Sequence, residues 1–126
     1  MMKEDPVKAT NLFLASMLGA ATLGMAGCHR SLAPSEPLSE LNPQQLRGHL
    51  IYQQECASCH YANQQGSLHG PGLEGVFRKP YLPSGLPATD QHVEQTILYG
   101  RNMMPGFGNA LDPQQINDLL AYLHTL

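Results

Sequence analysis

Apolar and polar positions divide the chain into an uncharged front, a polar stretch and three spans with helical spacing. No charged residue occurs from Leu12 to Gly27. From His29 to Leu41 the apolar residues are scattered among Ser31, Pro34, Ser35, Pro37 and Ser39. They form no periodic face, which is the composition of a spacer. Asn42-Pro43-Gln44-Gln45 then opens a helix, with Asn42 as N-cap, Pro43 in the first turn and Gln45 closing a capping box. Its apolar positions are Leu46, Leu50 and Ile51, and Gly48 and Tyr52, four apart, share one face. Thr89-Asp90 caps a second helix that carries Val93, Ile97 and Leu98 and stops at Tyr99-Gly100. Asp112-Pro113-Gln114-Gln115 repeats the first cap, and Ile116, Leu119, Leu120 and Leu123 form one apolar stripe behind it. Residues 61–88 are rich in Gly, Pro and polar residues. The pattern predicts an all-α fold of three main helices, with short extra turns in 61–88.

Composition narrows the function classes. The chain has 126 residues, 13% of them charged, no Trp and a net charge of −3. That length suits one ordinary domain. The charge excludes the basic footprint of a nucleic-acid binder and weakly favours a partner with a basic docking face. The expected division is 1–27 as a targeting segment, 28–41 as a linker and 42–126 as the folded domain. Lys3 and Lys8 precede the uncharged stretch, which ends in Met25-Ala26-Gly27-Cys28, small residues ahead of a cleavage point. At about 16 residues the stretch falls short of the ~20 that a spanning helix needs, which argues against an uncleaved membrane anchor. The run resembles the lipobox of bacterial lipoproteins. That resemblance implies that Cys28 is acylated, becomes the mature N-terminus and anchors the domain on the periplasmic side of the inner or outer membrane. Met25 stands where Leu is usual, and Glu4 and Asp5 dilute the positive start. His29, rather than Asp, follows the Cys, which leaves both membranes open.

The chemistry centres on Cys56-Ala57-Ser58-Cys59-His60. Cys-x-x-Cys-His reads as a c-type haem attachment site. Two thiols become thioethers to one porphyrin, and the next imidazole lies under the iron as an axial ligand. Half of a zinc site is the alternative, but it needs two further ligands at regular spacing. Cys28 is the single remaining cysteine. Far downstream, Arg101-Asn102-Met103-Met104-Pro105-Gly106-Phe107 offers a thioether, the ligand that raises the reduction potential when it stands opposite an imidazole.

With Cys56–His60, then Gly70-Pro71-Gly72-Leu73-Glu74-Gly75, then Met104-Pro105, the stretch from Leu46 to Leu126 resembles the small monohaem cytochromes c. The resemblance implies a cytochrome c fold, with three main helices around one covalently attached haem c. It implies thioethers from Cys56 and Cys59, axial ligands His60 and Met104, and a carbonyl next to Pro71 that accepts a hydrogen bond from His60. Pro71 itself is expected to act by rigidity and packing rather than by a bond of its own. Leu73 is expected in the pocket, with Val76 and Phe77 as apolar wall. For Arg78 and Lys79 two readings stand side by side, pairing with a haem propionate or a solvated surface charge, and Tyr81 is a candidate to reach a propionate through its hydroxyl. Met104 is chosen over Met103 because it directly precedes Pro105. His69 and His92 are weaker candidates for the sixth position, and His49 and His92 are expected to be solvated. Gly48 is read as the small residue at which the first and last helices cross, with Tyr122 packed over it.

The function expected from these residues is one-electron transfer by a non-enzymatic carrier. It would act between redox proteins whose identity the sequence does not specify, with Ala57, Tyr61 and Met103 at the docking edge. Two alternatives stand beside it. One is a haem subunit of a dehydrogenase or oxidase complex. The other is a haem peroxidase or gas-reactive site, which requires an open sixth position.

Overall fold

The computed structural model describes residues 35–126, so the targeting segment, Cys28 and the first part of the spacer lie outside the described residues. Three helices carry the fold: α1, Pro43–Glu55; α2, Asp90–Tyr99; and α3, Pro113–Leu123. A 3-10 turn, Val76–Arg78, interrupts the long connection between α1 and α2. Among the described residues there is no strand, only two isolated bridges, and no helix is long and apolar enough to cross a membrane.

The helix starts follow directly from local chemistry. Asn42 Oδ1 accepts from Gln45 N at 2.9 Å, and Gln45 Oε1 accepts from Asn42 N at 2.9 Å. Asp112 and Gln115 make the same reciprocal pair at 2.8 and 2.9 Å. Each box satisfies two backbone donors that the first turn leaves open. Thr89 caps α2, and Gly100 ends it with a φ of +74°, a conformation glycine adopts without a Cβ penalty.

The core forms where α1 crosses α3. A Cβ on Gly48 would run into the Asp118 carbonyl and come within 2.8 Å of Tyr122 Cβ, so the crossing is possible at this distance only with glycine. Tyr52 packs on Tyr122 with ring centroids 5.5 Å apart, and Ile116, Leu119, Leu120 and Leu123 are buried as expected. Leu46 and Leu50, two of the three apolar positions named for α1, are 44% and 56% exposed. At about 100° per residue they sit roughly 200° from Gly48, whereas Ile51 and Tyr52 follow it at three and four. The crossing point, not the count of leucines, selects the buried face. His49 is likewise not solvated. Its ring meets Tyr122 edge-on at 5.0 Å, and its Nδ1 is shut off from solvent with no hydrogen-bond partner.

A buried carboxylate ties the two helices. Asp118, 3% exposed, accepts from Arg47 Nε at 2.7 Å, Arg47 Nη2 at 3.1 Å and Gln114 Nε2 at 2.9 Å. The Arg47 hydrogen bond holds the Asp118 carboxyl below its ordinary range against the opposing cost of burial, and the same bond raises the guanidinium.

Part of the stretch expected as spacer is joined to the domain. Glu36 N donates to Thr125 O at 2.8 Å, Leu38–Glu40 make a 3-10 turn and Leu41 packs on the core. Thr125, which accepts the Glu36 bond, and Leu126 are buried, 3% and 2% exposed.

Candidate haem-binding site

Helix α1 delivers the attachment residues. Cys56 is its C-cap, and Tyr52 O accepts from both Cys56 N and Ala57 N at 2.9 Å. Cys56 O in turn accepts from Cys59 N at 3.0 Å and His60 N at 2.9 Å. The chain therefore makes one further turn, which brings the two free thiols and the imidazole onto a compact segment. Tyr52 reaches over it, and its hydroxyl donates to His60 O at 2.5 Å.

The loop after His60 returns through backbone hydrogen bonds. Gly70 N donates to Cys59 O at 2.7 Å and Leu73 N to Tyr61 O at 2.8 Å. This brings Pro71 O to 2.7 Å from His60 Nδ1. A carbonyl only accepts, so Nδ1 carries the proton and Nε2 keeps the lone pair that a metal ligand needs. Pro71 thus contributes a bond of its own through its carbonyl, where rigidity and packing were expected. A Cβ on Gly70 would collide with the His60 ring, so glycine here makes room for the imidazole.

Beside this segment lies a cavity of about 310 Å³, lined by Gln65, Pro71, Gly72, Leu73, Val76, Lys79, Tyr81, Leu82 and Pro83. Pro71, Leu73 and Tyr81, three of the residues named for the pocket, thus line one cavity. Tyr81 is 62% exposed and bridges to Pro87, while Lys79 lines the cavity and Arg78 sits exposed at the end of its 3-10 turn. Phe77 turns elsewhere and stacks on the His124 ring at 3.8 Å. Burial, with help from Glu55 and Cys59, pushes the Cys56 thiol up to about 11. It is a neutral thiol in an apolar setting, and as a thioether it has no proton to titrate.

The two methionines separate clearly. Arg101 and Met104 close a tight turn, with Arg101 N donating to Met104 O at 3.0 Å and Met104 N to Arg101 O at 2.9 Å. Asn102 takes a φ of +52° within it. Met103, near the tip, is 87% exposed, whereas Met104 is half-buried against the core with Leu98 and Phe107. His92, expected in solvent, is engaged by the preceding loop, its Nδ1 2.9 Å from Pro87 O and 3.1 Å from Thr89 Oγ1. His69 is exposed.

These residues fit a covalently held haem. Two thiols stand beside an oriented imidazole, an apolar-lined cavity adjoins them, and a sheltered thioether is carried on a separate loop. Sequence reasoning missed the Tyr52 hydroxyl and Gln65. Tyr52 carried a signal as the fourth residue before Cys56, a full helical turn away; Gln65 carried none.

The family described as cytochrome c oxidase, cbb3-type, subunit III matches residues 43–123. A cbb3-type cytochrome c oxidase subunit, CcoP, of Azospirillum brasilense is 38% identical over 86 residues, covering 64% of this chain and 28% of that protein. A cytochrome c-553-like protein of Synechocystis sp. is 35% identical over 81 residues, covering 64% of this chain and 67% of that protein. The structure of cytochrome c6 from the diatom Phaeodactylum tricornutum aligns with a TM-score of 0.46 at 27% identity, covering 63% of this chain and 88% of that one. The matches thus span under a third of the CcoP subunit and most of the smaller cytochromes. The chain belongs to this family of c-type cytochromes, whose members carry covalently bound haem c, and Cys56 and Cys59 are present for its attachment.

Proposed function

We propose that the domain is a one-electron carrier and not an enzyme, with His60 and Met104 as axial ligands of a haem attached through Cys56 and Cys59. The haem supplies a single Fe(III)/Fe(II) couple. The chain's own residues do the rest. Pro71 O holds the His60 ring and its proton at Nδ1, which makes Nε2 the better donor. Leu73, Val76 and Leu82 exclude water from the cleft wall. The observation that carries the reading is the contrast between sheltered Met104 and 87% exposed Met103. A thioether held inside favours a filled sixth position, whereas peroxidase or gas chemistry needs an open one. Met103, with Ala57 and Tyr61, belongs to the edge at which a redox protein would dock.

On this reading residues 1–27 are a targeting segment, Cys28 is lipidated, and the domain works on the periplasmic side of a membrane. The boundary of the folded part lies nearer residue 35 than 42, given the contacts of Glu36 and Leu41. A role as the haem domain of an oxidase complex is the second reading. It is favoured by the likeness to proteins named as cbb3-type oxidase subunits. Carbon monoxide binding to the ferrous protein tests the first reading against open-site chemistry. A carrier with Met104 on iron binds it poorly; rapid, stoichiometric binding by the wild type rules that ligation out.

A further inference from the structure

Tyr52 holds both ends of the attachment segment. Its backbone carbonyl accepts from Cys56 N and Ala57 N, and its side-chain hydroxyl donates to the carbonyl of His60. The ring is 3% exposed and packs on Tyr122 in the crossing of α1 and α3. Packing alone asks only for an aromatic ring, and phenylalanine would supply one without a polar atom to satisfy. A hydroxyl carried into this core needs a partner, since a buried one left unpaired is costly. It donates to the main chain of the residue whose imidazole faces Pro71, and the backbone of Ala62, two residues on, also hydrogen-bonds it.

We propose that Tyr52 is a positioning residue for the proximal imidazole, acting through its hydroxyl; this rests on the reading of His60 as an iron ligand. The hydroxyl fixes the His60 backbone relative to α1, and Pro71 O holds the ring at 2.7 Å. Together the two bonds leave the imidazole one orientation and keep its Nδ1–H on the carbonyl. That bond makes the imidazole more basic and stabilises the ferric state. Without the hydroxyl the backbone of His60 relaxes, the ring bond to Pro71 weakens, and the balance moves toward Fe(II).

The test uses the full chain, matured with haem, as wild type, Tyr52→Phe, Tyr122→Phe and Asp118→Asn. Tyr52→Phe keeps the ring and is expected to raise the midpoint potential. It should also speed solvent exchange of the His60 Nδ1 proton, followed by NMR, by about fivefold, as for the loss of one hydrogen bond. Tyr122→Phe and Asp118→Asn disturb the same helix crossing without touching His60. Both should leave potential and exchange as in the wild type even where unfolding comes earlier. A wild-type potential and exchange rate in Tyr52→Phe overturn the assignment, as does an equal shift in either control. Should Tyr52→Phe fail to mature, the wild type still decides. A slowly exchanging Tyr52 hydroxyl proton close to the His60 backbone supports the role, and exchange at the solvent rate refutes it. Failure of the underlying reading has a different signature: His60→Ala would then keep the wild-type iron spectrum.

Discussion

At the scale of single residues, the two adjacent methionines illustrate how one peptide step separates a sheltered side chain from an exposed one. Met104 is tied by paired backbone bonds to Arg101 and packs inward; Met103 stands in solvent. Replacing Met104 with Ala should lower the midpoint potential, because the thioether that favours Fe(II) is lost. Azide and carbon monoxide should then bind readily. Met103→Ala should move the potential only slightly, since it alters exposure and not coordination. A Met104→Ala protein with unchanged potential and spectrum would sink the ligand assignment. The cysteines allow an independent check. Cys56→Ala with Cys59→Ala should abolish haem staining on a denaturing gel, because neither thioether can form.

Among the elements, α1 and α3 decide stability, since their crossing holds the glycine contact, the tyrosine pair and the Arg47–Asp118 bridge. Gly48→Ala forces a methyl into the Asp118 carbonyl, and such overpacking should cost about 1–3 kcal/mol, read by denaturant unfolding. The carboxylate gives a pH signature. Asp118 has a folded pKa below its ordinary 3.8, so its contribution is fully present above that value. It disappears as pH falls through the ordinary value toward the lower folded one. Asp118→Asn should therefore be less stable than the wild type near neutrality, and the gap should close in acid. A gap that stayed constant down to the lowest pH at which both fold would show that the charge is not the source.

For the whole molecule, an all-α domain of this size has a modest core, so a covalently held group with large apolar faces would supply much of the apolar contact that the core lacks. Outside the α1–α3 crossing, side-chain contacts also join distant parts of the described residues. His124 Nε2 lies 2.7 Å from Asp90 Oδ1 while its ring stacks on Phe77, which joins the cleft-side 3-10 turn to the start of α2 and the end of α3. At the other extreme of the chain, Cys28→Ser should leave haem content intact and abolish incorporation of labelled palmitate. Continued labelling would remove the lipid-anchor reading without affecting the haem site.

What the sequence determined by itself was whatever depends on neighbours a few residues apart. The two capping boxes, the stop at Gly100, the apolar stripe of α3 and the Cys-x-x-Cys-His segment are local, and each was legible for that reason. Gly48 was legible too, because a mid-helix glycine costs about 1 kcal/mol unless something needs the space. Tertiary structure alone decided which side of α1 is buried, since Leu46 and Leu50 advertise a face that the crossing does not use. It also decided the fates of His49 and His92, the carbonyl of Pro71 as acceptor, and the reach of the Tyr52 hydroxyl to His60. Those outcomes depend on where distant backbone passes. A side chain's partners across the fold are set by the packing of whole elements, which no local spacing encodes.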